Sequence, residues 1–368
     1  MKTLLLILAA IWPLNGQVKT GQAKTGQEKT GQSNYTWDLP KGFPKPAVPA
    51  DNPMNAGKVE LGRYLFYDIR MSVNGKASCA TCHKQELAFT DGRAVGIGAT
   101  GESHSRNAMS LVNIAYSGAL TWSNPKMTRL EDQALVPMFG EHPIELGLRE
   151  GDGFLPLLRS DAKYRELFPK AFPGDTDPFT VANVTKAIAS FERSIISARS
   201  PYDRYHYGGD DNAVSDAAKH GEILFFSQNI ACFRCHGGFN FSDAGVSERS
   251  SGRQIEFHNT GLYDPYPAPN VGIYEYTHDP ADTGKFKTPT LRNIGVTAPY
   301  MHDGSVATLE DAIDHYAAGG RARDNSNKDP LIHGFPLSKE ERADLVAFLK
   351  TLTDEELLHD KRFSNPWP

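Results

Sequence analysis

All four cysteines of the chain belong to two copies of one short motif, C-x-x-C-H. The copies consist of Cys79, Cys82 and His83, and of Cys232, Cys235 and His236. Zinc could bind two C-x-x-C pairs, and an oxidising compartment could form disulfides, but neither explains the histidine that follows each pair. In c-type haem attachment the two sulfurs add to the vinyl groups and the adjacent imidazole binds the iron. The motifs therefore predict two covalent c-type haems, with His83 and His236 as iron ligands.

The two motifs lie in halves of the chain that repeat each other. "LGRYLFYD" precedes the first motif and "HGEILFFS" the second, while "SLVNIAYSGALTW" and "RLEDQA" are matched later by "TLRNIGVTAPYMH" and "TLEDAI". Repeated segments in one order are typical of internal duplication. We predict two cytochrome c-like haem domains, residues 35–202 and 203–368, joined near residues 197–211, where Pro, Gly and Asp interrupt the pattern.

Helical spacing of apolar residues dominates the sequence, and clean alternating strands are scarce. Residues 180–199 place apolar side chains on one helical face, and "SKEERADLVAFLKTL" begins with a capping box of Ser338 and Glu341. Thr308 is positioned to cap a helix through "LEDAIDHYAAGG". The expected fold class is mainly α, with long Gly- and Pro-rich loops.

The N-terminal residues have the order of a secretory signal. Lys2 is followed by an apolar stretch from Leu4 to Ile11 and then by Pro13. A membrane-spanning helix needs about 20 apolar residues, so we expect residues 1–16 to be cleaved on export to the periplasm, with an uncleaved anchor as the alternative. Residues 17–34 contain three KTGQ units and are expected to form a flexible linker. The balance of 44 acidic and 39 basic residues argues against a nucleic-acid partner.

Several longer motifs resemble those of the bacterial dihaem cytochrome c peroxidase and MauG superfamily. They are the paired C-x-x-C-H units, "SRNAMSL", "LEDQALVPM", "FHNTGLY", "FKTPTLRNIGVTAPYMHDGS" and "LEDAIDHY", spread over residues 62–352. Within the superfamily the chain is most similar to the MbnH-like dihaem enzymes, which are MauG-like and associated with copper-handling systems. The resemblance implies a peroxide-binding haem in the first domain and a six-coordinate haem in the second.

For the His83 haem, the resemblance implies a distal pocket made by Gln133, Pro137 and Glu145. Glu145 is the expected general acid/base, because cleavage of the O–O bond requires a proton to move between the two oxygens. Considered without the resemblance, Gln133 and Glu145 are equally compatible with solvated surface positions. Residues 140–143 depart from the usual pattern by about two residues, which leaves the pocket geometry open. His104 lies in the loop where some members place a histidine that caps this haem.

For the His236 haem, the resemblance places the distal iron ligand at Tyr316, where a core aromatic residue is the alternative. A phenolate ligand favours ferric and higher oxidation states, whereas a methionine favours reduced iron. Met301 lies in "PYMHDGS" and not on the expected ligand helix. The resemblance also places His258 near this haem and Trp122 between the haems as an electron relay, although a structural hydrogen bond and core packing would explain them as well.

A calcium ion is also implied by the resemblance. Its ligands would be Asn107 and the backbone carbonyls of Thr297 and Pro299. Oxygen ligands of this kind suit a hard cation.

Three functions are compatible with these residues. The first is an exported enzyme that uses hydrogen peroxide to form a bis-Fe(IV)-like state and oxidises an aromatic residue, tryptophan to kynurenine, on a copper-associated partner protein. The second is a peroxidase that reduces hydrogen peroxide with electrons from a small cytochrome or cupredoxin. The third is an electron carrier without peroxide chemistry. Tyr316 favours the first over the second, and Gln133 with Glu145 favours both enzymes over the carrier.

Overall fold

The computed structural model describes residues 35–368, apart from residues 150, 152, 251 and 253. The predicted signal at residues 1–16 and the KTGQ linker at residues 17–34 lie outside the described residues and stay predictions. Within the described part, no helix has the combination of length and apolar character that crossing a membrane requires.

Helices dominate the described residues, so the mainly α prediction is confirmed. They are α1 (Ala56–Tyr67), α2 (Cys79–Cys82), α3 (Leu130–Gln133), α4 (Leu135–Phe139), α5 (Phe154–Ser160), α6 (Ala162–Ala171), α7 (Val181–Ser194), α8 (Pro201–His206), α9 (Asp216–Phe225), α10 (Tyr274–Thr277), α11 (Leu309–Ala317), α12 (Lys339–Lys350) and α13 (Glu355–His359). The short strands β1 (Phe257–His258) and β2 (Phe286–Lys287) pair antiparallel, with Phe257 opposite Lys287.

In the first half, α1 packs closely on α7. A Cβ atom at Gly62 would lie only 2.0 Å from the carbonyl oxygen of Ala187, so glycine is needed where the two backbones meet. Helix α7 begins at the predicted position, where the side chain of Thr180 accepts a hydrogen bond from the backbone N–H of Asn183. Its apolar face is buried, which fixes the helix against the core of this half.

The second half repeats this arrangement with α9 and α12. A Cβ atom at Gly221 would lie 2.0 Å from the carbonyl oxygen of Asp344. The predicted capping box of Ser338 and Glu341 is present at the start of α12. Asn113 and Asn293, one in each half, both adopt a left-handed conformation, with φ of 58° and 62°.

The described residues form one compact unit in which the two halves touch extensively. Across the halves, the side-chain N–H of Asn293 donates to Oγ of Ser197 at 2.9 Å. Within the second half, Arg292 makes a buried ion pair with Asp203 of α8, at 2.8 and 2.9 Å. Near the C-terminus, Leu357 and Phe363 share a buried cluster with Phe66 of α1. The two halves therefore share part of their hydrophobic core. The domain boundary between residues 202 and 203 stays a prediction.

Candidate functional site

The first C-x-x-C-H motif forms one short helix whose end positions a histidine. Cys79 to Cys82 make α2, and the backbone N–H of His83 donates to the carbonyl oxygen of Cys79 at 3.0 Å. Nδ1 of His83 lies 2.8 Å from the carbonyl oxygen of Phe89, and burial lowers the pKa of His83. A neutral ring whose Nδ1–H is bound to a carbonyl leaves Nε2 free to bind a metal, which is the arrangement that haem iron requires.

The residues predicted for the distal pocket line the same cavity as this motif. Gln133, at the end of α3, Pro137, on α4, and Glu145, in the following loop, face the cavity that contains His83 and both cysteines of the motif. The sequence "LEDQALVP" does not form one continuous helix, because α3 ends at Gln133 and α4 begins at Leu135. The structure therefore brings these residues together, while their catalytic roles stay predictions.

Glu145, which lines this cavity, lies close to His104. Oε1 of Glu145 is 3.6 Å from Nε2 of His104, and both side chains are about one-third exposed. The backbone carbonyl of Glu145 accepts a hydrogen bond from the N–H of Ala99 at 2.6 Å, which holds the loop in place. A carboxylate in such a position can exchange protons with solvent and still reach the cavity.

Sequence reasoning missed a second carboxylate in this cavity, Glu192 of α7. It lines the cavity, its Oε2 has no hydrogen-bond partner among the described residues, and burial raises its pKa to about 8. One feature of the sequence could have revealed Glu192. It lies four residues after Ile188, which places its carboxylate on the apolar face of the predicted helix. The cavity thus contains one partly exposed and one buried carboxyl group.

The second C-x-x-C-H motif repeats the geometry of the first. The N–H of His236 donates to the carbonyl oxygen of Cys232 at 2.8 Å, and Nδ1 lies 3.2 Å from the carbonyl oxygen of Phe241. Cys232, Cys235, His236, Tyr316 and His258 all line one larger, mainly apolar cavity. The predicted ligands of the second haem therefore lie around one space.

Tyr316 reaches this cavity from α11, which Thr308 caps as expected. Burial raises the pKa of Tyr316, so a phenolate there needs stabilisation by a cation such as a metal ion. The neighbouring His315 is only 5% exposed, and its Nε2 lies 3.0 Å from the carbonyl oxygen of Thr260. Met301 also lines the cavity, although it is not on α11.

His258 is held between two aspartates. Its Nε2 lies 2.7 Å from Oδ2 of Asp243, and its Nδ1 lies 2.6 Å from Oδ2 of Asp329. Burial by itself would lower the pKa of His258, but the hydrogen bonds to both carboxylates raise it to about 9. The ring is therefore a cation at neutral pH, and the aspartates are partners that sequence reasoning missed.

The residues predicted to bind calcium lie in the wall of the same cavity as Trp122. Asn107, Thr297 and Pro299 line it, and the indole N–H of Trp122 donates to the carbonyl oxygen of Asn107 at 2.9 Å. The side-chain N–H of Asn107 donates to the carbonyl oxygen of Arg93 at 2.8 Å, which leaves the amide oxygen as a possible ligand. This all-oxygen set fits the preference of calcium.

Comparison with known proteins identifies the family. The family described as "Di-haem cytochrome c peroxidase" matches residues 56–212. The methylamine utilization protein MauG of Methylophilus methylotrophus is 34% identical, over 83% of this chain and 85% of the relative. A cytochrome-c peroxidase of Pseudomonas sp. strain SCT is also 34% identical, over 86% of each chain. The chain belongs to the dihaem cytochrome c peroxidase and MauG family.

A solved structure supports this family assignment. It is described as a MauG-like protein associated with microbial copper homeostasis, shares 47% sequence identity with this chain, and superimposes with a TM-score of 0.88. The match covers 91% of this chain and 100% of the other. As a family member, the protein is a haem-dependent, peroxidase-like oxidoreductase with two c-type haems. The two cavities are lined by the cysteines and histidines that are predicted to hold those haems.

Proposed function

We propose that this protein uses hydrogen peroxide to oxidise an aromatic residue of a partner protein. The observation that carries the proposal is Tyr316, which faces the cavity of Cys232, Cys235 and His236 from α11. A tyrosine ligand stabilises oxidised iron, so it suits a haem that stores oxidising equivalents better than one that receives electrons. The likeness to a MauG-like protein associated with copper homeostasis supports a copper-associated partner.

The partner residue that we propose is a tryptophan, which is converted to kynurenine. When bound, the two haems would supply the redox chemistry by storing the two oxidising equivalents of each peroxide. Conversion of tryptophan to N-formylkynurenine adds two oxygen atoms and so consumes two peroxides, with two waters released. Hydrolysis then removes the formyl group as formate.

The protein's own side chains have separate roles in this proposal. Glu145 accepts a proton from the inner oxygen of peroxide and returns it to the outer oxygen, which leaves as water. Gln133 and Pro137 shape the space in which peroxide binds. Trp122, which lies in the wall of the second cavity, would relay electrons between the haems. The proposed calcium ion at Asn107, Thr297 and Pro299 holds this wall in place.

The organisation of the chain completes the proposal. We infer export to the periplasm from residues 1–16, followed by a flexible linker at residues 17–34. An internal duplication is supported by the paired close approaches at Gly62 and Gly221 and by the paired left-handed Asn113 and Asn293. The two haem domains would then be residues 35–202 and 203–368.

A second candidate function is a peroxidase that reduces hydrogen peroxide with electrons from a small cytochrome or cupredoxin. Two observations favour it: the relative named as a cytochrome-c peroxidase, and Met301, which lines the second cavity together with Tyr316. If Met301 were the iron ligand, reduced iron would be favoured and the second haem would accept electrons.

The test is a stoichiometric titration of the fully ferric enzyme with hydrogen peroxide, followed by Mössbauer spectroscopy. We expect Fe(IV) at both haems in the wild type and its loss from the second haem in Tyr316→Phe. Tyr276→Phe is the control, because Tyr276 is 38% exposed on α10 and does not line the cavity. A ferric enzyme that is inert until one haem is reduced would favour the cytochrome-dependent peroxidase.

The protein product is tested separately with the partner present. Mass spectrometry of a copper-associated candidate partner after reaction should show a tryptophan converted to kynurenine. Two results together would contradict the proposal. The partner would be unchanged after the reaction, and peroxide would be consumed only when a reduced cytochrome or cupredoxin is supplied.

A further inference from the structure

Lys287 is a buried lysine whose position the proposed function does not explain. It lies in β2, is only 6% exposed, and lines the cavity of His236 and Tyr316. Its backbone N–H donates to the carbonyl oxygen of Trp122 at 2.9 Å, which anchors the strand in the cavity wall. The hydrogen bond made by Nζ is a long one, 3.5 Å to the carbonyl oxygen of Thr288.

A buried ammonium without a counter-ion is costly, because desolvation of a charge in a protein interior costs several kcal/mol. Burial lowers the pKa of Lys287 to about 8, and Asp243 offsets this effect only in part. Among the described residues, no carboxylate forms an ion pair with Nζ. We therefore expect an anion inside the cavity to neutralise the ammonium group of Lys287.

A second polar group in the same wall also lacks a partner. His302 is 5% exposed, lines the cavity, and its Nε2 has no hydrogen-bond partner among the described residues. Its ring stacks on Phe286, the neighbour of Lys287 in β2, with centroids 3.7 Å apart. The stack fixes the imidazole next to the strand that carries the lysine, so one wall presents a weakly hydrogen-bonded ammonium and an unpaired imidazole nitrogen to a mainly apolar cavity.

We propose that Lys287 binds a propionate carboxylate of the haem attached to Cys232 and Cys235. The thioether bonds and the neutral imidazole of His236 bring no anion into the cavity, whereas each haem carries two propionates. An ammonium–carboxylate contact would give Lys287 its counter-ion and hold the haem edge against β2. The inference rests on the presence of the haem and not on Tyr316 ligation or on the identity of the oxidised partner.

Asp243 is the competing counter-ion, because its Oδ1 is buried and has no hydrogen-bond partner within the described part of the chain. Its other oxygen is already shared with His258 at 2.7 Å. An experimental structure of the wild-type holoenzyme separates the two cases directly. We expect Nζ of Lys287 within about 3 Å of a propionate oxygen, and a position beside Oδ1 of Asp243, with both propionates out of reach, would overturn the proposal.

The midpoint potential of the His236 haem gives an independent test. Loss of a cation beside a propionate favours the ferric state, so Lys287→Met should shift the ferric–ferrous equilibrium at least tenfold, which is about 59 mV toward lower potential. Lys287→Arg should retain the wild-type potential. Lys285→Met is the matched control, since Lys285 is partly exposed and pairs with Asp282 at 2.9 Å.

Two results of these titrations would refute the assignment. One is a shift in Lys287→Met no larger than that in Lys285→Met. The other is loss of the shift when Lys287→Met is introduced into an Asp243→Asn parent, because that loss would identify Asp243 as the counter-ion. A shift that persists in the Asp243→Asn parent supports the propionate contact.

Discussion

Replacement of His258 by glutamine should remove a pH-dependent contribution to stability. The ordinary pKa of histidine, 6.5, is raised to about 9 by the hydrogen bonds to Asp243 and Asp329. At 1.36 kcal/mol for each pH unit, this difference corresponds to about 3 kcal/mol. Because the folded-state pKa is the higher one, the stabilisation is fully present below pH 6.5 and is lost as the pH rises through 9.

The assay is chemical unfolding of wild type and His258→Gln between pH 6 and pH 10, followed by circular dichroism. The free energy of unfolding of the wild type should fall by about 3 kcal/mol more than that of the variant over this range. His359→Gln is the control, because His359 is exposed on α13 and its replacement should leave the wild-type pH profile unchanged. Parallel profiles for wild type and His258→Gln would refute a histidinium held between two carboxylates.

Three further changes test the packing and the first cavity. Gly62→Ala should destabilise the fold by about 1–3 kcal/mol, because a Cβ atom at residue 62 has no room against α7. Gly174→Ala is the control, since a Cβ atom at residue 174 would meet open space. Equal melting temperatures for the two variants would contradict this packing. Glu145→Gln should lower the stopped-flow rate of reaction with peroxide by about 10²- to 10⁴-fold, and an unchanged rate would exclude it as the acid/base. Arg292→Met should lower the free energy of unfolding in urea by about 3–5 kcal/mol, because it leaves the buried carboxylate of Asp203 without the guanidinium. If the broken ion pair is the cause, the double variant with Asp203→Leu should recover much of that stability.

Much of the candidate site could be predicted from short segments of sequence. Each haem-attachment motif spans five consecutive residues, so its chemistry can be read without knowing the fold. The helix that carries Tyr316 was also predictable, because its cap at Thr308 and its apolar spacing are local features. The roles of Gln133 and Glu145 in the distal pocket were implied only by resemblance to a family, since nothing local assigns such a role to either residue.

Other parts of the site depended on contacts between distant segments. Glu192 was missed because a single carboxylate on a helix is ordinary until the helix is packed against a cavity. The partners of His258 lie 15 and 71 residues away in the chain, so its pairing with Asp243 and Asp329 could not be read from the surrounding sequence. Lys287 is unremarkable as one of several lysines until its burial is known.

The sequence by itself therefore determined what depends on contiguous residues, namely two c-type haems and a mainly helical chain, and it predicted His83 and His236 as proximal ligands. Only the tertiary structure decided which side chains meet in each cavity and which of them lose contact with water. The physical reason is that covalent attachment and helical periodicity are set by near neighbours in the chain, whereas burial and ion pairing arise from the packing of remote segments. Burial is also what turns His258, Glu192 and Lys287 from ordinary titratable residues into groups with shifted pKa values.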